Sequence, residues 1–316
     1  DVVDIDGAVN FAADVTLANG ADLITASAGT SNFRAGTNAG NSIVSGGNYN
    51  TVVGDEAGTA ITTGDENTFL GYAAGDANTT GTNNVATGTD AFGRNTTGSG
   101  NTAVGRTSLA FNTTASNNTA VGNDALRENT TGVDNVSVGS QALDANTTGS
   151  YNTALGRQAL TGNTTASNNI GIGYYSLAVN TTGASNVSVG NRALSANTTA
   201  SNNTAVGYLT LTANTTGKCN VAMGSTALAT CTTGNNNTAI GSGEYGVSPA
   251  ALNNLTTGSD NTAVGKSAGA SITTGASNVA LGANALDANT TASSSVAIGN
   301  GALGANTVGS YSVAIG

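Results

Sequence analysis

The apolar positions of the chain recur with a period of 17 residues. A short motif, Asn, Thr or Val, a small residue, an aliphatic residue and Gly, appears as NTAVG at 101–105. Its closing glycine returns in unbroken steps of 17 from Gly54 to Gly241 and, after one step of 24, resumes from Gly265 to Gly316. A fixed period of this length is typical of repeat architectures, so the repeat, not a division into globular domains, organises the chain.

The motif itself predicts a strand. The aliphatic residue before the glycine and the Thr, Val or Ile two residues earlier alternate with a small residue, which is the pattern of a half-buried strand. We expect the aliphatic positions to line up from coil to coil as a structural ladder. The ladder includes Val104, Val121 and Val138.

A second apolar position lies four residues after the glycine. Leucine occupies it in eight successive repeats, from Leu109 through Leu126 and Leu143 to Leu228. We interpret this leucine as the inward anchor of a second strand, so that two short strands and two turns form one coil.

An Asn-Thr-Thr turn begins seven residues after the glycine. The asparagines, which include Asn112, Asn129 and Asn146, fit a ladder of stacked amides that bonds one coil to the next. They also satisfy the pattern for N-glycosylation, because Thr follows two residues later. The pair Thr113 and Thr114 raises ice binding as a further alternative, although neighbouring residues of a strand point to opposite faces and leave a single outward row.

Stacking of such coils about 4.8 Å apart would bury apolar positions that one coil cannot bury alone. The sequence therefore predicts an all-β protein, a β-solenoid rod over residues 32–316. A 7-residue insertion falls between 242 and 260, and residues 1–31 form a lead-in segment. The chain starts at Asp1 and stops within its own pattern, so we expect it to be part of a longer protein.

Composition narrows the function. The chain has 45 Gly, one Pro, no Trp, 8% charged residues and a net charge of −10. It is rich in poor helix formers, and it has no basic stripe for nucleic acid and no apolar run for a membrane span. It has no His, which excludes the Ser-His and Cys-His catalytic arrangements and imidazole metal sites. We expect no enzyme, no cofactor and no metal, and we interpret the pairs Asp55-Glu56 and Asp65-Glu66 as surface charge, with a weak calcium site or a glycosidase pair as alternatives.

Two cysteines, Cys219 and Cys231, replace turn residues in successive coils. Either a disulfide between neighbouring coils or two free thiols would fit this spacing.

Recognition is expected where the repeat is broken or varied, because uniform coils serve as scaffold. The insertion contains Glu244 and Tyr245 and should protrude as a loop. The position directly after the motif glycine would form a surface strip suited to sugars. Over four successive coils this strip consists of Arg157, Tyr174, Asn191 and Tyr208. The alternative is ordinary surface variation.

The strings SVAIGNGAL at 295–303 and SVAIG at 312–316 resemble the head repeats of trimeric autotransporter adhesins. The longer units with NTT spacers, such as NTTGSGNTAVG at 95–105, are more similar to repetitive tail fibre proteins of bacteriophages and related viruses. The resemblance implies a left-handed parallel β-roll, a homotrimer, an extracellular location on a virion and attachment to a host-surface glycan or protein. A bacterial cell-surface adhesin or filament subunit is the alternative, and a depolymerase spike is a more distant one.

Overall fold

The computed structural model describes residues 28–316, so the predicted lead-in at 1–31 lies outside the described residues except for its last four. Over this range the chain is all-β, with one three-residue strand in each coil and no helix. The strands are β1 Phe33–Ala35, β2 Thr51–Val53, β3 Thr68–Leu70, β4 Val85–Thr87, β5 Thr102–Val104, β6 Thr119–Val121, β7 Val136–Val138, β8 Thr153–Leu155, β9 Ile170–Ile172, β10 Val187–Val189, β11 Thr204–Val206, β12 Val221–Met223, β13 Thr238–Ile240, β14 Thr262–Val264, β15 Val279–Leu281, β16 Val296–Ile298 and β17 Val313–Ile315.

Each strand pairs in parallel with the strand of the next coil, and all the described strands belong to one sheet. The register follows the repeat, so that Thr102 lies beside Thr119 and Val104 beside Val121. The 24-residue step is absorbed without loss of register, because Thr238 pairs with Thr262. The result is the predicted β-solenoid, and sixteen steps of about 4.8 Å give a rod roughly 77 Å long.

The strand turns its valines outward, whereas stacking of the coils was expected to bury the apolar positions. Val104, Val121 and Val138 do stack in register, but they lie on the outer, partly exposed face. The small middle residue is the buried one, as at Ala103. The reason is the width of the interior: at the equivalent Gly171, an added Cβ would lie only 3.0 Å from Cγ of Leu160. The leucines fill the interior, so the strand that faces them must present small side chains.

The second strand predicted around the leucines does not form. Leu109, Leu126 and Leu143 are fully buried, as expected of an inward anchor, but they lie in a turn with φ of 51°. This left-handed conformation is unfavourable for leucine and costs about 1–2 kcal/mol. Complete burial of the side chain, worth about 1.5–3 kcal/mol, offsets that cost.

Some coils exchange the leucine for glycine and fill the space by other means. Gly58 is followed three residues later by Ile61, and an added Cβ on the glycine would lie 2.7 Å from Cδ1 of that isoleucine. The same exchange occurs at Gly269 and Ile272. At Gly75 the space is taken by the ring of Phe69 instead. The core therefore keeps its volume although its residues change.

The motif glycine is required by both conformation and space. Gly122 has a φ of 134°, which side chains other than glycine rarely adopt. A Cβ on Gly122 would lie 2.7 Å from the carbonyl carbon and oxygen of Gly139 in the next coil. Any larger residue would push neighbouring coils apart, and this explains why the glycine marks the period.

The Asn-Thr-Thr asparagines form a buried ladder. Asn129 donates from its side-chain amide to Oδ1 of Asn112 at 3.0 Å and to the carbonyl of Gly132 at 2.9 Å. Asn146 repeats the pattern with Asn129 at 2.8 Å. All three side chains are completely buried, so in the folded rod they brace the turns and leave no room for a glycan.

A second asparagine ladder, which the sequence analysis did not identify, lies at the first residue of the motif. Asn118 donates its backbone N–H to Oδ1 of Asn101 at 2.9 Å and its side-chain amide to the carbonyl of Gly132 at 2.9 Å. Asn135 continues the row onto Asn118. The signal was present in the sequence, because Asn occurs before nearly every strand.

Candidate functional site

The strip predicted after the motif glycine is exposed. Arg157, Tyr174, Asn191 and Tyr208 are all surface residues on successive coils, and in-register stacking places them in one row. The guanidinium carbon of Arg157 lies 5.7 Å from the ring centroid of Tyr174, within the range of a cation–π contact.

The next position along each coil adds residues that the sequence analysis missed. The ring of Tyr175 meets that of Tyr174 edge to face, with centroids 4.5 Å apart. The guanidinium of Arg192 lies 5.9 Å from the Tyr175 centroid. Two consecutive tyrosines at 174–175 in a chain with 4% aromatic residues were the available signal.

The insertion forms a mostly exposed loop over residues 242–249. Glu244 and Ser248 exchange backbone hydrogen bonds of 2.9 Å across an isolated antiparallel bridge. The base of the loop is anchored where Ser267 donates its hydroxyl to the carbonyl of Pro249 at 3.0 Å. At the tip, Tyr245 is 70% exposed.

The loop and the strip meet at one point. The ring of Tyr245 packs edge to face on Tyr208, with centroids 6.3 Å apart. The structure therefore joins the two regions that were predicted separately. Among the six candidate residues, Glu244 and Tyr245 lie on the loop, and Tyr208 connects them to the strip.

A cavity of about 580 Å³ lies beside this junction, under the loop. Its walls include Leu209, Ala213, Val247 and Pro249, with Glu244 at the rim. A second cavity of about 240 Å³ adjoins it, lined by Tyr175, Val179 and Arg192 among others. Both cavities include Leu209 and Thr212, so they form one continuous depression, which we call the groove.

The cysteines do not pair. Cys219 is exposed and Cys231 is buried, and both are free thiols. The disulfide alternative is therefore not what the structure contains. Cys231 takes the place of an asparagine in the Asn-Thr-Thr ladder, and burial raises the pKa of its thiol to about 11.

The two acidic pairs brace the first coils. A carboxylate oxygen of Asp55 accepts the N–H of Thr37 at 3.0 Å, and one of Asp65 accepts the N–H of Asn48 at 2.6 Å. Within residues 28–316, no three His, Cys, Asp or Glu side chains cluster closely enough to hold a metal ion.

Only one of the two threonines of the NTT turn forms an outward row, as expected. Thr114 is exposed, whereas Thr113 is half-buried and donates its hydroxyl to the carbonyl of Thr130 at 3.1 Å. The pair lies in a bend, and not in a strand.

No protein-family model matches the sequence, and no curated protein matches it either. In the described part of the chain there is no helix of the length and hydropathy needed to cross a bilayer.

Proposed function

We propose that this chain is a segment of a viral tail or receptor-binding fibre, which acts outside the cell by binding a host surface and not by catalysis. The repetitive β-solenoid fits a structural, fibre-like role. Hydrogen bonds run from coil to coil through the sheet along the described rod, and the two asparagine ladders add to them where they are continuous. Recognition is assigned to the groove and its tyrosines.

We further propose that copies of the chain assemble side by side through the outer face of the sheet. Each of the strands β2–β17 presents its first and third residues on this face, and none of these residues is charged. Several are strongly exposed, including Leu155 at 47% and Met223 at 42%. The first residue is Thr in eight of these sixteen strands, but the third is apolar in all of them except β4. This row of third residues, which we call the outer apolar row, marks an interaction surface.

The period of the outer apolar row supports another copy of this chain as its occupant. An apolar row that recurs in nearly every coil from β2 to β17 is matched best by a partner with the same axial repeat, and another copy of this chain has it. The number three comes from the resemblance to trimeric fibre proteins. The groove is lined by residues that lie outside the strands, so assembly through the sheet leaves it accessible.

Light scattering tests the assembly. We expect a solution mass of three chains of 30.4 kDa each at both low and high salt, because the contact is apolar. Placing charges on the outer apolar row with Val121→Asp and Val138→Asp should produce monomers, whereas Ser116→Asp outside the strands should not. A monomeric wild-type rod would refute the assembly and leave the single-chain solenoid intact.

The location is tested with antibodies raised against the rod. Immunogold labelling of virus particles supports the viral fibre, whereas labelling of bacterial cell surfaces identifies the adhesin alternative. Absence of label from both virions and cell surfaces would contradict an attachment role.

A further inference from the structure

We propose that the groove binds a short carboxylated glycan, with the carboxylate at Arg192 and neutral sugar rings under the loop near Tyr245. This proposal rests on the attachment function and assigns its ligand class.

The dimensions of the groove suit a chain of sugar rings lying along the rod. Tyr175, Arg192, Leu209 and Thr226 occupy the same position in four successive coils, so three steps of about 4.8 Å separate the ends, roughly 14 Å. The larger cavity, at about 580 Å³, falls within the usual range of small-ligand sites.

The lining of the groove combines apolar and hydrogen-bonding groups, as a pyranose ring does. Leu209, Ala213 and Val247 supply an apolar floor and wall, and the tyrosines present amphipathic rings on which the C–H face of a sugar can pack. Glu244 at the rim can accept hydrogen bonds from sugar hydroxyls.

An extended peptide fits less well because the backbone around the groove is already paired. Leu209 donates its N–H to the carbonyl of Asn191 at 3.1 Å, Ala213 to that of Ala229 at 3.1 Å, and Thr226 to that of Tyr208 at 2.9 Å. Peptides that bind by strand addition need free main-chain groups on a sheet edge. A glycan needs side chains and ring faces, and the groove provides both.

The charged side chains around the groove determine which charge the ligand carries and which way it lies in the groove. Within residues 28–316, the guanidinium groups of Arg157 and Arg192 have no carboxylate within 4.0 Å and contact tyrosine rings instead. An arginine left unpaired at the end of a groove can hold a carboxylate through two parallel hydrogen bonds. Glu244 at the other end repels a carboxylate, so the acidic sugar lies at the arginine end.

Titration calorimetry with defined sugars tests the proposal. The probes are trigalacturonic acid and its carboxyl-reduced trisaccharide, and sialyllactose and lactose. We expect at least one acidic probe to bind about tenfold or more tightly than its neutral counterpart, and to bind more weakly as salt is raised. The two pairs distinguish a uronic from a sialic acid.

Three substitutions locate the site. Arg192→Ala should remove the preference for the acidic probe, Tyr245→Ala should weaken the acidic and the neutral probe alike, and Ala213→Trp should block both by filling the groove. Arg106→Ala and Tyr151→Ala change an exposed arginine and an exposed tyrosine elsewhere on the rod and should have no effect. Thermal unfolding of each variant confirms that the rod is intact.

Failure to bind either acidic probe, equal binding of acidic and neutral probes, or an unchanged acid preference in Arg192→Ala would overturn the assignment. The attachment function fails separately. If antibodies against the rod label virions and the rod assembles normally, but its groove variants bind all probes like wild type, the fibre role stands and only this site is refuted.

Discussion

Ile272 occupies the position in its coil that Asn289 occupies in the next, and the amide of Asn289 has no hydrogen-bond partner for either its nitrogen or its oxygen. The ladder of Asn-Thr-Thr asparagines is interrupted between Asn214 and Asn289 by Cys231, Leu255 and Ile272. The oxygen of Asn214, at the other border of this gap, is also buried without a partner. The ladder therefore has two unsatisfied ends beside an apolar segment.

Because Gly269 and Ile272 share one space in the core, the effects of substituting them on stability should be strongly coupled. Gly269→Leu alone places a side chain against Cδ1 of Ile272, where even a Cβ would be 3.0 Å away, and should cost about 1–3 kcal/mol. Ile272→Asn alone should cost about 2–5 kcal/mol through lost packing. Together they recreate the Leu and Asn of other coils and offer Asn289 a partner. We expect the pair to be less destabilising than the sum by about 1 kcal/mol or more.

Urea unfolding measures the free energy of unfolding of the two single variants and of the double variant. Gly269→Leu combined with the exposed and distant Thr148→Ala serves as the control and should be additive. Additivity of the Gly269 and Ile272 changes would show that the two residues do not share one space.

The asparagine ladder predicts a large effect of Asn146→Ala. The side chain donates to Asn129 at 2.8 Å and to Gly149 at 2.9 Å, and it accepts from Asn163 at 3.1 Å. Loss of three buried bonds at roughly 1 kcal/mol each should reduce the unfolding free energy by about 3 kcal/mol. Thr148→Ala, two residues away and exposed, should change it by less than about 0.5 kcal/mol. Equal effects in urea unfolding would refute the ladder.

Two half-buried aspartates predict a specific pH dependence. Burial raises the pKa of Asp76 above its ordinary 3.8, and the nearby Asp90 and Glu56 add to the effect. Burial also raises the pKa of Asp144, and the negative charges of Asp124 and Glu128 add to this effect, whereas the positive charge of Arg127 opposes it. The native state then binds these protons more tightly than the unfolded state. Their contribution to stability is fully present below pH 3.8 and is lost as pH rises through the folded-state values.

Asp76→Asn should therefore be more stable than wild type at neutral pH, and the difference should shrink as the pH falls toward 3.8. Thermal unfolding from pH 3 to pH 7 measures it. A difference that does not change with pH, or that grows on acidification, would contradict the raised pKa.

The cysteines predict two very different reactivities. At pH 8 the exposed Cys219 should react quickly with iodoacetamide. Cys231 should stay unmodified until the rod unfolds, because it is buried and its pKa is about 11. Mass spectrometry should find one added group per native chain and two in denaturant, and Cys219→Ser should abolish the fast reaction. Recovery of a disulfide-linked peptide from the native protein would count against the free thiols.

Much of the fold could be predicted from local pattern. The 17-residue period, the strand before each glycine and the buried leucine are all present in the sequence, because stacking identical coils demands the same residue at the same place. The orientation of the strand could not be predicted this way. Valine and alanine alternate along the motif, so the pattern alone allows either of them to face the interior. Only the width of the interior selects the alanine.

The site was predicted in part. Tyr208 and Tyr245 were both candidates, but their contact depends on how far the inserted loop folds back over the preceding coils, which no local pattern encodes. Tyr175 and Arg192 were missed because only the position directly after the motif glycine was considered, and the next position along the coil was not.

The sequence by itself determined the period, the all-β solenoid and the place where the repeat breaks, because these follow from backbone geometry and from side-chain size at each position of the coil. Only the tertiary structure decided which face of the strand is buried, that the leucines lie in turns, that the two thiols are free and that the loop and the residues next to the strip line one groove. Those features depend on the distances between coil walls, which are set by packing in three dimensions.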